Sequence, residues 1–561
     1  MNFLSKHIVT ILLVAIILLA FFMRLYKVEG NPPSLNWDEA SIGYNAYSIL
    51  KTGKDEWNIP FPVHFKSYGE YKLPAQIYAS IPGIWIFGLN EFGIRITPVV
   101  YGTLTVLVCF FLSLEILQNK KASLFAALLL AISPWHLQLT RASFEASFAC
   151  FWISLGVLFL LKGFKTSKFF SLSAVFFAVS VFTYNSARVF TPVFLLAIFM
   201  IYFRSFWKQK KAVIIALILF VVLLSPLIPF ILSGDVRDRY KLVSITDDAG
   251  LIPRINENRG NSHFPQPLPR LIHNRVTYVA LYFTEHYLAH FTPQFLFISG
   301  APHKQHHVQG MGELYLFEAP FLLFGLYALF RQKLKYRFLL VSWILLAYIP
   351  VAITNDSIPH ALRTVIVLPT YQIISGLGFV EIFKWIQKMG KQALITGSVM
   401  LALVVVISMS LYIHNYYILY PVAYSRDWQY GYKQVVGYIN RHQNEYDAVV
   451  FTRHYGEPHI FTLLFGQYDP AMFQHDPSLI RFETHDWVRV WHFAKYYFPD
   501  LGDPGTTYAD ILASGGVGLD IPKDKKILFV GKPGDFPTSA PVLETVNFLN
   551  GNPAFVITER K

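Results

Sequence analysis

The sequence predicts a multi-span α-helical membrane protein with a small C-terminal α/β domain, and three observations support this prediction. First, 54% of the 561 residues are hydrophobic and only 15% are charged, whereas soluble domains carry about 25% charged residues. Second, apolar runs of membrane-spanning length recur along the chain up to about residue 415. Third, the composition changes after that point, where short apolar stretches alternate with polar ones.

About eleven runs have the length that an α-helix needs to cross the hydrocarbon core of a bilayer, roughly 17 or more apolar residues. These runs lie at residues 8–23, 94–117, 121–137, 143–161, 168–184, 187–204, 211–232, 314–331, 336–353, 363–383 and 392–414. A further apolar stretch at 74–89 is interrupted by Pro82 and Gly83. We interpret it as an interfacial or partly embedded helix, because counting it as a span would move the basic clusters to the outer face.

Basic residues fall largely in the short gaps between these runs, for example at Lys120 and Lys121. This pattern is a topology signal that places those gaps and the N-terminus in the cytoplasm. The net charge of +13 therefore does not indicate a nucleic-acid partner. The opposite face receives residues 24–93, the loop 233–313 and the tail. We expect a multi-pass protein of the plasma membrane with an extracytoplasmic active site.

The tail predicts a separate module. Its strand-like segments lie at residues 448–452, 526–530 and 554–558, with helix-like pieces such as 429–440 between them. The predicted domains are therefore a transmembrane domain, 1–415, and an extracytoplasmic α/β domain, 416–561. The tail contains neither a Gly-rich phosphate loop nor a nucleophile elbow, which favours a lid or an accessory role.

The first outer loop carries the adjacent carboxylates Asp38 and Glu39 and, further along, Lys72. Carboxylates at a membrane edge are costly to desolvate, so a functional role is a plausible reason for their presence. We assign Asp38 and Glu39 as catalytic, with Asp38 as a general base toward an acceptor hydroxyl. A lysine at this position can hold a phosphate as a point charge. The alternative is that Asp38 only caps the helix that begins near Ala40.

Aromatic residues accompany these charges at Tyr44, Tyr68 and Tyr71. Aromatic faces suit sugar rings and prenyl chains, so we expect these three side chains to contact substrate. Together with the acids and the lysine they indicate glycosyl transfer from a lipid phosphate.

Two other outer turns carry charges. Arg141 and Glu145 are four residues apart at the start of the fourth run, a spacing that would place them on one helical face. We expect Arg141 to bind the donor phosphate and Glu145 to be a second acid, although an ion pair that merely neutralises both charges is the alternative. Arg363 could clamp phosphate oxygens or simply extend from a helix end toward the interface. We expect the neighbouring His360 to contact substrate.

The sequence does not predict an obligatory metal. The histidines in the segment 302–307 have spacings that could bind zinc, but no acid or cysteine lies near enough in the sequence to complete a ligand set. Cys109 and Cys150 both lie inside apolar runs. We expect no obligatory cofactor and leave open an optional divalent cation.

Five ordered motifs resemble one family. They are Asp38-Glu39, Glu70-Tyr71-Lys72-Leu73-Pro74, the Ser-Pro-Trp…Arg…Glu stretch at 133–145, the segment 312–320, and Pro359-His360-Ala361-Leu362-Arg363. This arrangement resembles the polytopic GT-C glycosyltransferases, specifically the family 39-like enzymes that include protein O-mannosyltransferases and lipid A aminoarabinose transferases. The resemblance covers roughly residues 1–415.

The resemblance implies transfer of a single sugar from a polyprenyl-phosphate donor, with inversion at the anomeric carbon, to a hydroxyl of a protein, lipid or glycan acceptor. Membrane lipids would be the remaining partners. Two alternatives stay open, namely a polysaccharide polymerase or ligase acting on lipid-linked glycans, and a lipid or solute transporter. Repeat symmetry and mid-bilayer charges, which a transporter would favour, are not visible in the sequence.

Overall fold

The computed structural model describes residues 3–69, 71–233, 243–484, 487–501 and 525–560. These residues divide into two compact units. One unit contains residues 1–26 and 98–415, and the other contains residues 27–97 and 416–561. The predicted first outer loop therefore belongs to the same compact unit as the predicted C-terminal module.

The regular elements of the first unit are helices, joined by turns and loops in its described residues. Its helices are Phe3–Leu25, Lys120–Ile132, Pro134–Leu139, Glu145–Gly163, Phe169–Val181, Asn185–Ile201, Phe203–Trp207, Lys210–Leu224, Ile228–Ser233, Leu251–Gly260, Leu268–Ile272, Arg275–Ala289, Glu318–Arg331, Arg337–Ala347, Ile349–Ala352, Ala361–Thr364, Thr370–Lys388 and Lys391–His414. Short 3-10 or π turns lie at Ser225–Leu227, Gln294–Ile298, Val365–Val367 and Asn415–Leu419. The helix Glu91–Leu117 crosses the boundary between the two units.

The helices confirm a multi-pass membrane protein. Among the described residues, five helices are long and apolar enough to cross a membrane, and a sixth span results if the bent pair Ala361–Val367 and Thr370–Lys388 is counted as one. The helices Phe169–Val181 and Asn185–Ile201 are apolar but shorter. Each predicted run coincides with at least one helix, whereas the total of about eleven spans stays a prediction.

The two helices of this pair meet at an angle of 55°, and Pro369 lies between them. Proline has no backbone N–H and its ring clashes with the preceding turn, which favours a break in the helix. Predicted interfacial residues 74–89 likewise form a separate helix, Pro74–Phe87, with Pro82 in its interior. Trp85 at its end is 72% exposed, which suits contact with a bilayer interface.

Two helices of the first unit pack closely through glycine. Gly378 of Thr370–Lys388 faces the helix Glu318–Arg331, and a Cβ at that position would overlap the carbonyl oxygen of Phe321. Gly325 on the second helix approaches Ile374 in the same way. Small residues at such contacts let helix backbones come together in a membrane.

We predict that Gly378→Ala lowers the unfolding free energy by about 1–3 kcal/mol, because the added methyl forces the two backbones apart. The matched control is Gly260→Ala, since a Cβ there has no heavy atom within 4 Å. Thermal unfolding of the purified protein in detergent measures the difference. Equal melting temperatures for the two variants would contradict this close packing.

The second unit is built around a mixed sheet. Among its described residues the strand order is Ile480–Glu483, Val488–Phe493, Tyr496–Tyr497, Ala448–Phe451, Ile527–Gly531, Pro553–Arg560 and Val542–Asn547. Ala448–Phe451 pairs in parallel with both of its neighbours, with Ala448 opposite Ile527. The other pairs are antiparallel. The small C-terminal α/β fold is therefore confirmed, and all three predicted strands lie within one residue or so of observed ones.

Helices complete this unit. They are Trp37–Thr52, Pro74–Phe87, Tyr420–Ala423, Tyr432–His442, Pro458–Phe465 and Pro470–Gln474, and a short hairpin joins Phe65–Lys66 to Tyr71–Lys72. Tyr44 and Ile77 share one buried cluster with Tyr432, Phe451 and Phe461. The first outer loop and the sheet module are thus held together by one hydrophobic core.

Candidate functional site

The helix Trp37–Thr52 begins with a capping box. The side chain of Asn36 accepts the backbone N–H of Glu39 at 2.9 Å, and Glu39 Oε2 accepts the backbone N–H of Asn36 at 3.3 Å. Together these bonds satisfy two backbone donors at the start of the helix. The alternative in which Asp38 itself is the cap is therefore wrong, because Asn36 occupies that role.

Asp38 instead pairs with Lys72. Lys72 Nζ lies 2.5 Å from Asp38 Oδ1, with the lysine side chain only 2% exposed and the aspartate 34% exposed. The hairpin determines this position, since Lys72 lies directly opposite Phe65 in the two-strand ladder. The acid and the cation singled out from the sequence therefore meet, although 34 residues separate them. Glu70, which stands two residues before Lys72 in the same motif, lies outside the described residues.

Beneath this pair, Glu39 forms a fully buried ion pair with Arg95. Arg95 Nε and Nη2 donate to the two carboxylate oxygens, each at 2.9 Å, and both side chains are 0% exposed. The guanidinium also donates to the backbone carbonyls of Val28 at 2.9 Å, Pro32 at 2.8 Å and Ser34 at 2.6 Å. One arginine thus fixes both the carboxylate and the chain that leads into the helix.

We predict that Glu39→Gln lowers the unfolding free energy by about 3–5 kcal/mol, because it leaves the charge of Arg95 buried without its counter-ion. Glu483→Gln is the matched control. Its carboxylate pairs with Lys66 at 2.7 Å but is 48% exposed, so its loss costs less than about 1 kcal/mol. Chemical or thermal unfolding compares the two variants, and a Glu39 variant as stable as the control would contradict the role of this pair.

The three tyrosines have different surroundings. Tyr44 is fully buried and donates to the carbonyl of Tyr468 at 3.2 Å, so in this structure it belongs to the core. Tyr68 donates to the carbonyl of Trp37 at 3.2 Å. Burial, with nearby carboxylates such as Glu56, raises the pKa of Tyr68 well above its usual value, so the hydroxyl keeps its proton. Tyr71 precedes Lys72 in the hairpin, and its ring contacts that of His64 at 5.2 Å.

Arg141 lies in the first unit, in the turn before the helix Glu145–Gly163 rather than on that helix. Arg141 and Glu145 therefore do not share a helical face, which differs from the expectation. The guanidinium donates to three carbonyls at the end of Phe3–Leu25, those of Met23, Arg24 and Tyr26, at 2.7–2.9 Å. Such carbonyls have no partner inside their own helix, so Arg141 closes that helix end.

Arg363 lies in the same unit and is 7% exposed. Its Nη1 donates to Thr354 Oγ1 and its Nη2 to Asp356 Oδ2, each at 2.7 Å. His360 caps the short helix Ala361–Thr364 by accepting the backbone N–H of Arg363 at 3.3 Å. The predicted arginine and histidine are thus fixed in one turn.

Imidazoles cluster beside this turn. The ring of His306 stacks 3.7 Å from that of His303 and 5.1 Å from that of His360. Burial, together with the neighbouring histidines and Arg363, lowers the pKa of His306 well below its usual value. His306 is therefore neutral near pH 7. The sequence did not predict this stack, because His360 is more than fifty residues from the other two.

A cavity of about 450 Å³ opens in the second unit beside Trp37. Its lining includes Trp37, Arg453, Tyr455, Glu457, Trp487 and Asp500. Sequence reasoning missed it, since Trp37 comes from the first outer loop, the other residues come from the tail, and together they form no motif. Asn36 and Arg95 were missed as well, although the Asn-x-x-Glu spacing of a capping box was visible.

The family model described as dolichyl-phosphate-mannose-protein mannosyltransferase matches residues 79–230. A curated dolichyl-phosphooligosaccharide-protein glycotransferase 2 of Pyrococcus furiosus is 26% identical over 167 residues, which are 29% of this chain and 22% of that protein. The matched region thus spans about a fifth of that relative's length.

Solved structures show a similar fold over most of the chain. ArnT from Cupriavidus metallidurans, bound to undecaprenyl phosphate, matches with a TM-score of 0.54 at 14% identity, covering 100% of this chain and 98% of that one. The chain has the GT-C glycosyltransferase fold. The Archaeoglobus fulgidus oligosaccharyltransferase tethered to an acceptor peptide gives a TM-score of 0.50 at 13% identity, covering 83% of this chain and 64% of that one.

Within the described part of this GT-C chain, no group of three or more His, Cys, Asp or Glu side chains is arranged to hold a metal ion. His303, His306 and His307 are among these described residues. The expectation that no metal is obligatory stays a prediction.

Proposed function

We propose that this GT-C protein transfers a single sugar from a polyprenyl-phosphate donor to an acceptor hydroxyl, with inversion at the anomeric carbon, on the extracytoplasmic face of the plasma membrane. The observation that carries the proposal is the 2.5 Å pair of Lys72 Nζ and Asp38 Oδ1 at the start of a helix. A base for the acceptor and a cation for the donor phosphate lie together there. The lipid-bound state named for ArnT supports a donor of this class.

The chemistry follows the movement of charge. As the bond between the sugar C1 and the phosphate oxygen breaks, negative charge grows on the leaving polyprenyl phosphate, and Lys72 stabilises it. The acceptor oxygen bonds to C1 from the opposite face while Asp38 takes its proton. One C–O bond forms and one breaks, and this direct displacement inverts the carbon.

Ion pairing connects the two roles. In this structure Lys72 is buried and its charge is balanced by Asp38. When the donor phosphate pairs with Lys72, the Asp38 carboxylate interacts less strongly with the lysine and becomes available for proton transfer. A carboxylate that loses a neighbouring cation becomes the better proton acceptor, so donor binding prepares the base.

Glu39 has a positioning role in this proposal, since both of its oxygens bind Arg95. Its direct participation as a catalytic residue would require that buried pair to break. Arg363, Arg141, Glu145 and His360 belong to the other compact unit, and their roles in binding the donor or acting as a second acid stay predictions.

We predict that Asp38→Asn and Lys72→Met each lower the transfer rate about 10²–10³-fold, because each removes a group that acts on charge in the transition state. Lys433→Met is the matched control, as its ammonium pairs with Glu91 at 2.6 Å but is 58% exposed. Turnover of a polyprenyl-phosphate hexose by purified protein measures the rates. Asp38 or Lys72 variants as active as the control would refute the assignment.

Mass spectrometry of the products separates this function from its alternatives. A gain of one sugar on the acceptor is expected here. Transfer of a whole glycan chain would indicate a polymerase or ligase, and movement of lipid without chemistry would indicate a transporter.

We predict that exhaustive chelation leaves turnover unchanged, because Lys72 already supplies a cation for the phosphate. Activity before and after chelation, with Mg²⁺ or Mn²⁺ added back, measures this. A loss that either ion restores would show that a divalent cation is required.

A further inference from the structure

The cavity beside Trp37 has the chemistry of a saccharide site. We propose that it binds the acceptor, and that this acceptor is a glycan. The inference rests on the proposed function, since it names the class of acceptor that would receive the sugar.

Aromatic rings form one part of the lining. The rings of Trp37 and Trp487 lie 6.1 Å apart at an angle of 62°, and Tyr455 also lines the cavity. Aromatic faces bury the apolar C–H faces of a pyranose ring, while leaving its hydroxyls available at the ring edge. This division between an apolar face and a polar edge matches a sugar better than it matches a lipid chain.

Six charged side chains with planar end groups form most of the remaining lining, which also includes His454 and Gly456. The arginines are Arg426, Arg453 and Arg489, and the carboxylates are Asp427, Glu457 and Asp500. Because these charges balance, the cavity favours a neutral, hydroxyl-rich ligand over an anion. Guanidinium donors and carboxylate acceptors together match hydroxyl groups, which both accept and donate hydrogen bonds.

Two buried groups in the lining have hydrogen-bonding capacity that is not used. The side chain of Arg453 is 6% exposed, and its Nη2 binds Asp500, while its Nε and Nη1 have no hydrogen-bond partner in the described structure. Glu457 Oε1 accepts the indole N–H of Trp487 at 2.7 Å, while its Oε2 lies 3.5 Å from His459 Nδ1 and accepts no hydrogen bond among the described residues. Buried polar atoms are nearly always satisfied. Because these atoms are buried in the cavity wall, the proposal requires a small side-chain rotation, after which a saccharide supplies an acceptor to Arg453 and a hydroxyl donor to Glu457.

The cavity is connected to the start of the helix that bears Asp38. Gln429 accepts the backbone N–H of Trp37 at 2.8 Å and donates to the carbonyl of Tyr455 at 2.7 Å. Gly456 follows at φ +132°, and a Cβ there would lie 2.6 Å from the Trp37 ring. The loop that carries Arg453 and Glu457 is therefore held against Trp37, the residue that precedes Asp38 in the helix.

The test is saturation-transfer NMR on the full-length protein in phosphatidylcholine nanodiscs, which avoid glycoside detergents. The probes are methyl α-mannopyranoside, methyl β-glucopyranoside and a serine-containing peptide. We expect the glycosides to bind. The substitution Arg453→Lys should lower their affinity about tenfold or more, because lysine keeps the positive charge beside Asp500 but has two fewer N–H donors. The matched control, Arg441→Lys, changes an exposed arginine of the same unit and should leave binding unchanged.

Thermal unfolding of both variants checks that the fold is intact. If Arg453→Lys is unstable, Trp487→Phe tests the aromatic contact with the glycoside independently. Absence of glycoside binding, or glycoside binding that neither Arg453→Lys nor Trp487→Phe weakens, overturns the inference. Peptide binding that Arg453→Lys weakens would also overturn it, in favour of a protein acceptor.

The binding assay needs no donor, so the two proposals can fail separately. Glycoside binding without any turnover of a polyprenyl-phosphate sugar refutes the transferase but leaves a saccharide site. Turnover onto peptide with no glycoside binding refutes the glycan acceptor but leaves the transferase.

Discussion

The buried ion pair of Glu39 and Arg95 is the interaction on which the rest of the candidate site depends. Two charges at 0% exposure pay a large desolvation cost, so they are stable only with good geometry and further hydrogen bonds. The structure supplies both, through a bidentate contact and three backbone carbonyls. The pair fixes the first turn of the helix, and the backbone that carries Asp38 is therefore held in one position.

Residue type and position were enough to predict part of this site. Two carboxylates and a lysine in one outer loop indicated charge chemistry at a membrane edge, and Asp38 and Lys72 do meet. The capping box shows where the reasoning failed. The sequence offers Asp38 as the alternative cap, because an aspartate before a helix is a common cap, whereas the structure gives this role to Asn36. Arg95 was hidden inside an apolar run that had been read only for its length.

The organisation of the second unit was harder to predict because its contacts are far apart in the sequence. Apolar periodicity identified the helices and three of the strands, since those signals are local. No local signal indicates that Tyr44 packs with Phe461, or that residues 27–97 form a compact unit with residues 416–561. The cavity follows from that same assembly, since Trp37 comes from the first segment and Arg453 from the second.

The two ion pairs of the site differ in a way that explains their different tasks. Glu39 and Arg95 are both enclosed, so neither can exchange its partner without leaving a bare charge in the interior. In the other pair, Lys72 is enclosed but Asp38 is 34% exposed. In the proposed mechanism, the donor phosphate replaces this exposed carboxylate as a negative partner of the lysine. Such an exchange conserves the local charge balance and makes the proposed phosphate role of Lys72 compatible with its burial, while Arg95 supports the helix.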